Sequence, residues 1–482
     1  MLQDTLKETL HRLGRKEGVE YADVRLVRRA REGIKMKNGR VDHIHQAEDQ
    51  GYGVRVLYKG AWGFASTNRL EDADAGRIFD LALDIARSSA SIAKERVVMS
   101  PVEPVVDDYS SPCEIDPFQV PLDEKISLLD RAMAPLMKAP EVKVAESSVS
   151  FYRTESLFIS TEGSVINQKV IESGGGINVV AVRGGEPQAR SYPNSFSGNT
   201  AARGYEFVRD LGLENEGERA REEAVALLSA PPCPHGRMTL IVASDQLGLQ
   251  VHESCGHPVE LDRVLGSEIS LAGGSFLKVA DAGKLRYGSE RVNIVADSTV
   301  PGGLGTFGYD DEGVEAGKTD IVREGILMNF LTSRETAGSL GMESNGAMRA
   351  DGWSRIPLIR MTNINLEPGE WPLEEMILDT DHGIMVSTNK SWSIDDRRLN
   401  FQFGTQIAWE ISHGKITRML KNPIYTGITP DFWSRCDAVG DAGSWRLWGI
   451  PSCGKGEPMQ VCHVGHGASP ARFRDVEVGV AK

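Results

Sequence analysis

The sequence predicts an α+β protein: two smaller mixed α/β domains, then a larger β-rich C-terminal domain carrying an H-E-x-x-x-H helix. Three observations lead there. The chain has 482 residues, more than a single hydrophobic core ordinarily serves. Two proline-rich stretches, SPVEPVVDDYSSPCEIDPFQVP at 100–121 and SAPPCPHG at 229–236, interrupt it, because proline removes backbone donors and restricts its neighbours. Beyond residue 236, apolar or alternating runs joined by glycines replace helical periodicity. The expected domains are therefore 1–98, 99–230 and 231–482.

In chain order, MLQDTLKETLHRLGRKEG sets Leu2, Leu6, Leu10 and Leu13 at helical spacing. ADVRLVRR and YGVRVLYKGAWGFAS follow as strands, with Asn38-Gly39 a hairpin tip. A second helix is expected over 71–93, with Ile78, Leu81, Leu83, Ile85 and Ala86 on its apolar side. In the middle domain a helix over 122–138 precedes the β-rich segments VKVAESSVSFYRTESLFIS and GGGINVVAVRGG, and a helix over 216–229 closes it. Gly174-Gly175-Gly176 reads as a turn or a point of close backbone approach. RMTLIVAS, RVNIVADST and FQFGTQIAWEI supply strands to the last domain, with hairpin tips at Glu324-Gly325 and His413-Gly414.

Composition narrows the function. Apolar residues make up 40% and charged residues 25%, as in soluble globular proteins. A formal charge of -14 offers no net positive field to nucleic acid. The N-terminus lacks the uninterrupted apolar run of about seven residues that a secretory signal needs. No stretch approaches the ~20 apolar residues that span a bilayer. Cys113, Cys233, Cys255, Cys436, Cys453 and Cys462 are spread without paired spacing, which suits reduced thiols or metal ligands, not a disulfide framework. A cytoplasmic protein without nucleic-acid or membrane partners is expected.

The chemistry concentrates in HESCGHPVELD at 252–262. Zinc hydrolases commonly pair two histidines with a glutamate as H-E-x-x-H, and here one residue is added. On an ideal α-helix the ordinary spacing separates the histidines by about 40°, the longer one by about 140°. A π-type widening, or a helix that ends inside the motif, brings them back together. Gly256 makes irregular backbone accessible, and Pro258 disfavours α geometry at His257. The competing reading is a helix packed on a sheet with buried histidines. PSCGKGEPMQVCHVGHGASPARF adds Cys453, Cys462, His463 and His466, donors suited to zinc, though an isolated cysteine equally serves as a small buried hydrophobe.

Three other features carry less. Gly303-Leu304-Gly305-Thr306-Phe307-Gly308 matches G-x-G-x-x-G, but YDDEGVEAGK follows in place of the helix a dinucleotide needs, so it reads as a loop near the active cleft. Asp310, Asp311 and Glu312 suit a second cation, a peptide amine or a hydrogen-bonded turn. Arg349, Arg355 and Arg360 suit a substrate carboxylate or internal ion pairs.

His252-Glu253-x-x-x-His257 after an apolar strand, with Ser452-Cys453-Gly454-Lys455 far downstream, resembles the TldD/PmbA family of metallopeptidases. GVRVLYKGAWGFAST, YDDEGVEAGKTDIVREGILMNFLTSRETA, NGAMRADGWSRIPLIRMTN and VGHGASPARF extend the similarity over nearly the whole chain. The resemblance is to the motif-bearing TldD-type subunit, and Cys255 and NKSWSIDDRRLNFQFG depart from the family pattern. It implies zinc (Zn2+) held by His252, His257 and Cys453, with Glu253 as the catalytic carboxylate. It also implies a peptidase for short or unfolded peptides, working as a homodimer or with a TldE/PmbA-type subunit. A zinc amidase for a small non-peptide substrate is the first alternative. The second is a non-catalytic peptide-binding or assembly subunit whose structural zinc takes Cys255, Cys462 or His466 as fourth ligand. The spacing makes a geometric demand: the helix must widen or end between Glu253 and Pro258.

Overall fold

The structure, a computed structural model, describes residues 2–195, 198–271 and 273–480. Its N-terminal half is built on four strands of 19 residues each, Val19–Lys37, Arg40–Tyr58, Val142–Ser160 and Val165–Arg183. At about 3.3 Å per residue each runs ~60 Å, too long for one core, and its two ends serve different ones. Ala22, Val24, Val54, Val56, Leu157 and Ile159 pack with buried residues of helices Leu2–Gly14 and Asp72–Ala90. Ile34, Met36, Val149, Phe151, Ile177 and Val179 pack with Leu122–Met133 and Leu213–Leu227. The first two domains thus share one eight-stranded sheet, joined where Val19–Lys37 pairs antiparallel with Val142–Ser160.

Several local expectations are met and others corrected. Asn38-Gly39, Glu324-Gly325 and His413-Gly414 all have positive φ at both residues, the type I′ geometry of tight hairpins. Leu6, Leu10 and Leu13 are buried. Leu81 and Ile85, however, are 45% and 39% exposed; they lie one turn apart, off the face that buries Ile78, Phe79, Ala82 and Ala86. The helix expected over 122–138 stops at Met133, and a short 3-10 turn, Leu136–Lys138, follows Pro135, whose ring cannot continue the ladder. Gly174-Gly175-Gly176 is no turn but the middle of a strand. Close approach is the reason for glycine there, since a Cβ on Gly174 would stand 2.4 Å from Thr200 Oγ1 of the neighbouring Asn199–Ala201 strand.

In the β-rich C-terminal part, five strands pair in a closed ring. Gly236–Val242 adjoins Ala471–Val480, then come Pro423–Ile428, Asn400–Ser412 and His382–Ile394, which returns to Gly236–Val242. Aromatic side chains fill part of the core, with Phe432 and Phe473 stacked at 4.1 Å between ring centroids. Helix Ser244–Val251 leaves the first of these strands and is buried at every residue. It touches the His382–Ile394 strand on one side and the hairpin Arg446–Lys455/Gln460–Ala468 on the other. A helix buried all round must pair its polar groups. Gln246 donates to the Tyr425 hydroxyl (2.9 Å), which donates to Gln250 Oε1 (3.0 Å), and Gln250 donates to Ser254 Oγ (3.1 Å).

Candidate metal centre

Helix Ser244–Val251 runs into a π-helical turn, His252–Gly256, and then a 3-10 turn, His257–Val259. The His257 N–H donates to the His252 carbonyl, five residues back instead of four. One wide turn thereby absorbs the extra residue, and the two imidazole centroids stand 4.8 Å apart at 85°. The reasons for the flanking residues differ from expectation. Gly256 keeps right-handed geometry (φ -84°); what it provides is room, because a Cβ there would stand 2.0 Å from Met361 Sδ. His257 also stays right-handed (φ -60°) despite the proline after it. Pro258 sits in the first turn of the 3-10 segment, where a missing N–H leaves no helical bond unmade.

His252, His257 and Cys453 are buried and offer ligand atoms all within 4.8 Å of one another, with His257 Nε2 3.6 Å from Cys453 Sγ. The neighbours fix both tautomers. His257 Nδ1 lies 3.1 Å from Glu260 Oε2. Burial raises Glu260, but Lys455, His257 and Arg263 hold it well below the carboxylate range. An ionised carboxylate only accepts, so Nδ1 carries the proton and Nε2 keeps its lone pair. His466 Nδ1 lies 3.2 Å from the Ile364 carbonyl and so donates. Its Nε2 is then an acceptor, and His252 Nδ1, 2.8 Å away, donates to it. Both motif histidines therefore present Nε2. Burial lowers His252 to about 4 and holds His257 and His466 below the usual imidazole value, so all three are neutral. Burial pushes the Cys453 thiol up, but passing its proton to the His257 Nε2 lone pair 3.6 Å away, together with the Arg360 guanidinium, outweighs burial and leaves the group below its ordinary value. Two neutral imidazoles and a readily ionised thiol form a donor set that fits zinc.

Buried charges tie the cysteine strand to the motif. Lys455 donates to Asp262 Oδ1 and to the Ile359 carbonyl, both at 2.7 Å, and stands 3.4 Å from Glu260 Oε2. Arg263 Nε donates to the same Glu260 oxygen at 2.7 Å. Two cations thus face two carboxylates, the balance a buried cluster requires. Arg360 donates to the carbonyls of Cys453 and Gln460, clamping the hairpin from behind. Glu253, buried next to His252, accepts at Oε2 from Arg398 Nη1 at 2.5 Å. That arginine belongs to the NKSWSIDDRRLNFQFG segment and takes a positive φ of 62°. Sequence reasoning missed Glu260, Lys455 and Arg398 as site residues. Glu260 had a signal, lying three residues after His257.

The remaining candidates fall elsewhere. Cys255 is fully buried beside Ser254, its thiol pushed up by burial, and stands outside the histidine–cysteine group. Cys462 lies directly opposite Cys453 in the hairpin, its thiol raised by burial. His463 lies on the other face of the strand, 2.6 Å from Glu172 Oε2 and edge-on to Tyr152. It lines a cavity of about 310 Å³ with Arg25, Arg29 and Arg349, to which the triad does not contribute. The Gly303–Gly308 segment is a loop that closes on Asn363, the Gly305 N–H donating to Asn363 Oδ1 at 2.9 Å. Asp310 accepts from three backbone N–H groups, Asp311 from the Ala350 N–H, and Glu312 pairs with Arg55. That trio is a hydrogen-bonded turn. Arg349 and Arg360 hold backbone carbonyls, and among the described residues neither has a carboxylate as its hydrogen-bond partner.

Three consecutive stretches match the PmbA/TldA metallopeptidase family: its domain 1 over 22–86, its central domain over 115–228 and its C-terminal domain over 235–479. Fold and matches together define a three-domain chain of the metallopeptidase class. The chain belongs to the PmbA/TldD metallopeptidase family. It is 32% identical to a metalloprotease of Methanothermobacter thermautotrophicus over 96% of both chains. It is 26% identical to a zinc metalloprotease TldD homolog of Saccharolobus solfataricus, over 86% of this chain and 87% of that one. Two crystal structures share the fold. One is a Thermotoga maritima protein described as a modulator of a DNA gyrase (TM-score 0.79, 21% identity, 99% of this chain and 100% of that one). The other is TldE from Thermococcus kodakarensis (TM-score 0.73, 16% identity, 99% and 100%).

Proposed function

We propose that this chain is a zinc-dependent peptidase hydrolysing peptide bonds of short or unfolded peptides. The observation that carries the reading is the convergence of His252, His257 and Cys453 within 4.8 Å, with the Glu253 carboxylate adjacent in sequence. Zinc, when bound there, supplies Lewis acidity toward a peptide carbonyl and acidifies water. Glu253 accepts the proton of the attacking water at a carboxylate oxygen and delivers it to the leaving nitrogen. Arg398, on Oε2, holds that carboxylate in one orientation. His466 and Glu260 keep the two imidazoles in the tautomer that offers Nε2. Three ligands from the protein leave a position for substrate chemistry, and among the described residues no fourth His, Cys, Asp or Glu joins the group.

A zinc metalloprotease name on a relative spanning most of this chain supports the metal and the class. A TldE with the same fold supports assembly with a second chain of this architecture, either another copy or a TldE/PmbA-type subunit. A cytoplasmic setting agrees with the finding that no described helix is long and apolar enough to cross a membrane.

The test combines metal content with cleavage of an unstructured peptide library, with and without chelator. Zinc near one equivalent at the triad and chelator-sensitive peptide cleavage are expected. Glu253→Gln should keep the metal and lose turnover by roughly 10²–10⁴-fold. Cleavage that survives complete metal removal, or full activity in Glu253→Gln, overturns the proposal. Turnover of small amides alone, with peptides untouched, would reassign the substrate.

A further inference from the structure

We propose a second metal site, for a divalent first-row transition ion such as zinc, formed on the surface by Asp381, His382 and His413. Their ligand atoms all lie within 4.8 Å of one another. The carboxylate sits between the two rings, Oδ1 2.6 Å from His413 Nδ1 and Oδ2 3.4 Å from His382 Nε2. The ring centroids are 5.1 Å apart. A tetrahedral ion with bonds of about 2.0–2.1 Å sets its ligand atoms ~3.3 Å apart. The widest pair therefore closes by about 1.5 Å, while the Asp381–His413 pair at 2.6 Å opens slightly to admit the ion.

The backbone beneath them is already fixed. The His413 N–H donates to the Asp381 carbonyl (2.6 Å) and the Gly414 N–H to the Thr380 carbonyl (3.0 Å). His382 faces Ser412 in the strand ladder. Two loops are thus clipped together, and one carries its histidine at the tip of a type I′ turn, at φ 50°. The side chains themselves are 69–77% exposed, so closing on an ion moves only side-chain torsions and disturbs no packing. The nearby Glu410 is engaged by Arg418 (2.9 Å) and Thr417 (2.8 Å), leaving three protein ligands with water to complete the shell.

Two imidazoles and one carboxylate select zinc, copper or nickel over magnesium or calcium, which prefer all-oxygen shells. The site is separate from the buried triad. Along His382–Ile394 it is twelve residues, ~40 Å of strand, from the end that leads to Arg398 and Glu253. It requires nothing of the peptidase reading.

The test is a zinc titration of the full-length chain stripped of metal, followed by calorimetry and elemental analysis. The wild type is expected to bind a weaker equivalent that His382→Ala and His413→Ala each remove and His252→Ala retains. Copper, used as a spectroscopic probe in His252→Ala, should show two nitrogen ligands, falling to one in the His252→Ala/His413→Ala double variant. Unchanged zinc stoichiometry in His382→Ala and His413→Ala overturns the proposal. So does a wild type whose only equivalent disappears with His252→Ala. A wild type whose only equivalent disappears with His413→Ala supports this site and refutes the triad instead.

Discussion

Replacing His466 by leucine tests the chain of hydrogen bonds that orients His252. The substitution removes the Nε2 acceptor 2.8 Å from His252 Nδ1, in a site where both rings are buried. An unpaired buried donor costs about 1–3 kcal/mol. Turning the imidazole to find another acceptor would instead withdraw Nε2 from the metal position. Loss of such a supporting partner typically weakens metal binding by about 10–100-fold, or ~1.4–2.8 kcal/mol, so both routes predict the same scale. His466→Gln places an amide oxygen where the acceptor was and should recover most of the affinity. Competition with a chromophoric zinc chelator measures the affinity, and thermal unfolding of the metal-free proteins separates a general loss of stability from a loss at the site. Wild-type zinc affinity in His466→Leu would refute the tautomer argument.

Other expectations follow from the same geometry. Arg398→Met breaks a buried ion pair and should destabilise the fold by about 3–5 kcal/mol; adding Glu253→Gln should recover part of that, and strict additivity in the double-mutant cycle would deny the coupling. Burial depresses His252 from 6.5 to about 4, so between those values the unfolded chain binds the extra proton and acid favours unfolding. The metal-free protein should therefore lose stability as pH falls from 6.5 toward 4, by about 3 kcal/mol from this group at ~1.36 kcal/mol per pH unit. Urea unfolding should show that loss reduced in His252→Gln, and identical pH dependence in the two proteins would contradict it. Gly256→Ala drives a methyl group toward Met361 Sδ, 2.0 Å away, and should cost about 1–3 kcal/mol. Met361→Ala empties a core position and destabilises on its own, so the check is a double-mutant cycle: Gly256→Ala should cost clearly less in the Met361→Ala background, and an undiminished cost there would locate the requirement for glycine elsewhere.

The widened turn was legible because helical angles alone forbid His252 and His257 from meeting at their spacing. Proline and glycine marked the right place, but for reasons the sequence could not separate, since the demand for space at Gly256 comes from Met361, over a hundred positions away. Cys453 was reached through resemblance, and the lysine two residues on from it carried no separate signal until its partners Asp262 and Glu260 were seen. Arg398 lies 145 residues from Glu253, and a buried ion pair at that separation leaves no periodic trace. Local patterning gave strands their faces but not their partners, so 19–37 and 142–160 were read as belonging to separate units. Leu81 and Ile85 show the converse limit, since an apolar residue in an amphipathic helix need not lie on its buried side.

The shared sheet has a consequence for synthesis. Val19–Lys37 leaves the ribosome about 120 residues before Val142–Ser160, its partner along one edge. At roughly 5–20 residues per second that is a wait of ~6–25 s, during which Ile34 and Met36 lack the side chains that later cover them. The nascent chain thus holds half of a ~60 Å strand in reserve, an adhesive edge in a crowded cell. A fragment truncated after residue 98 would keep that edge permanently and should aggregate, whereas one that includes the 142–160 strand can close it.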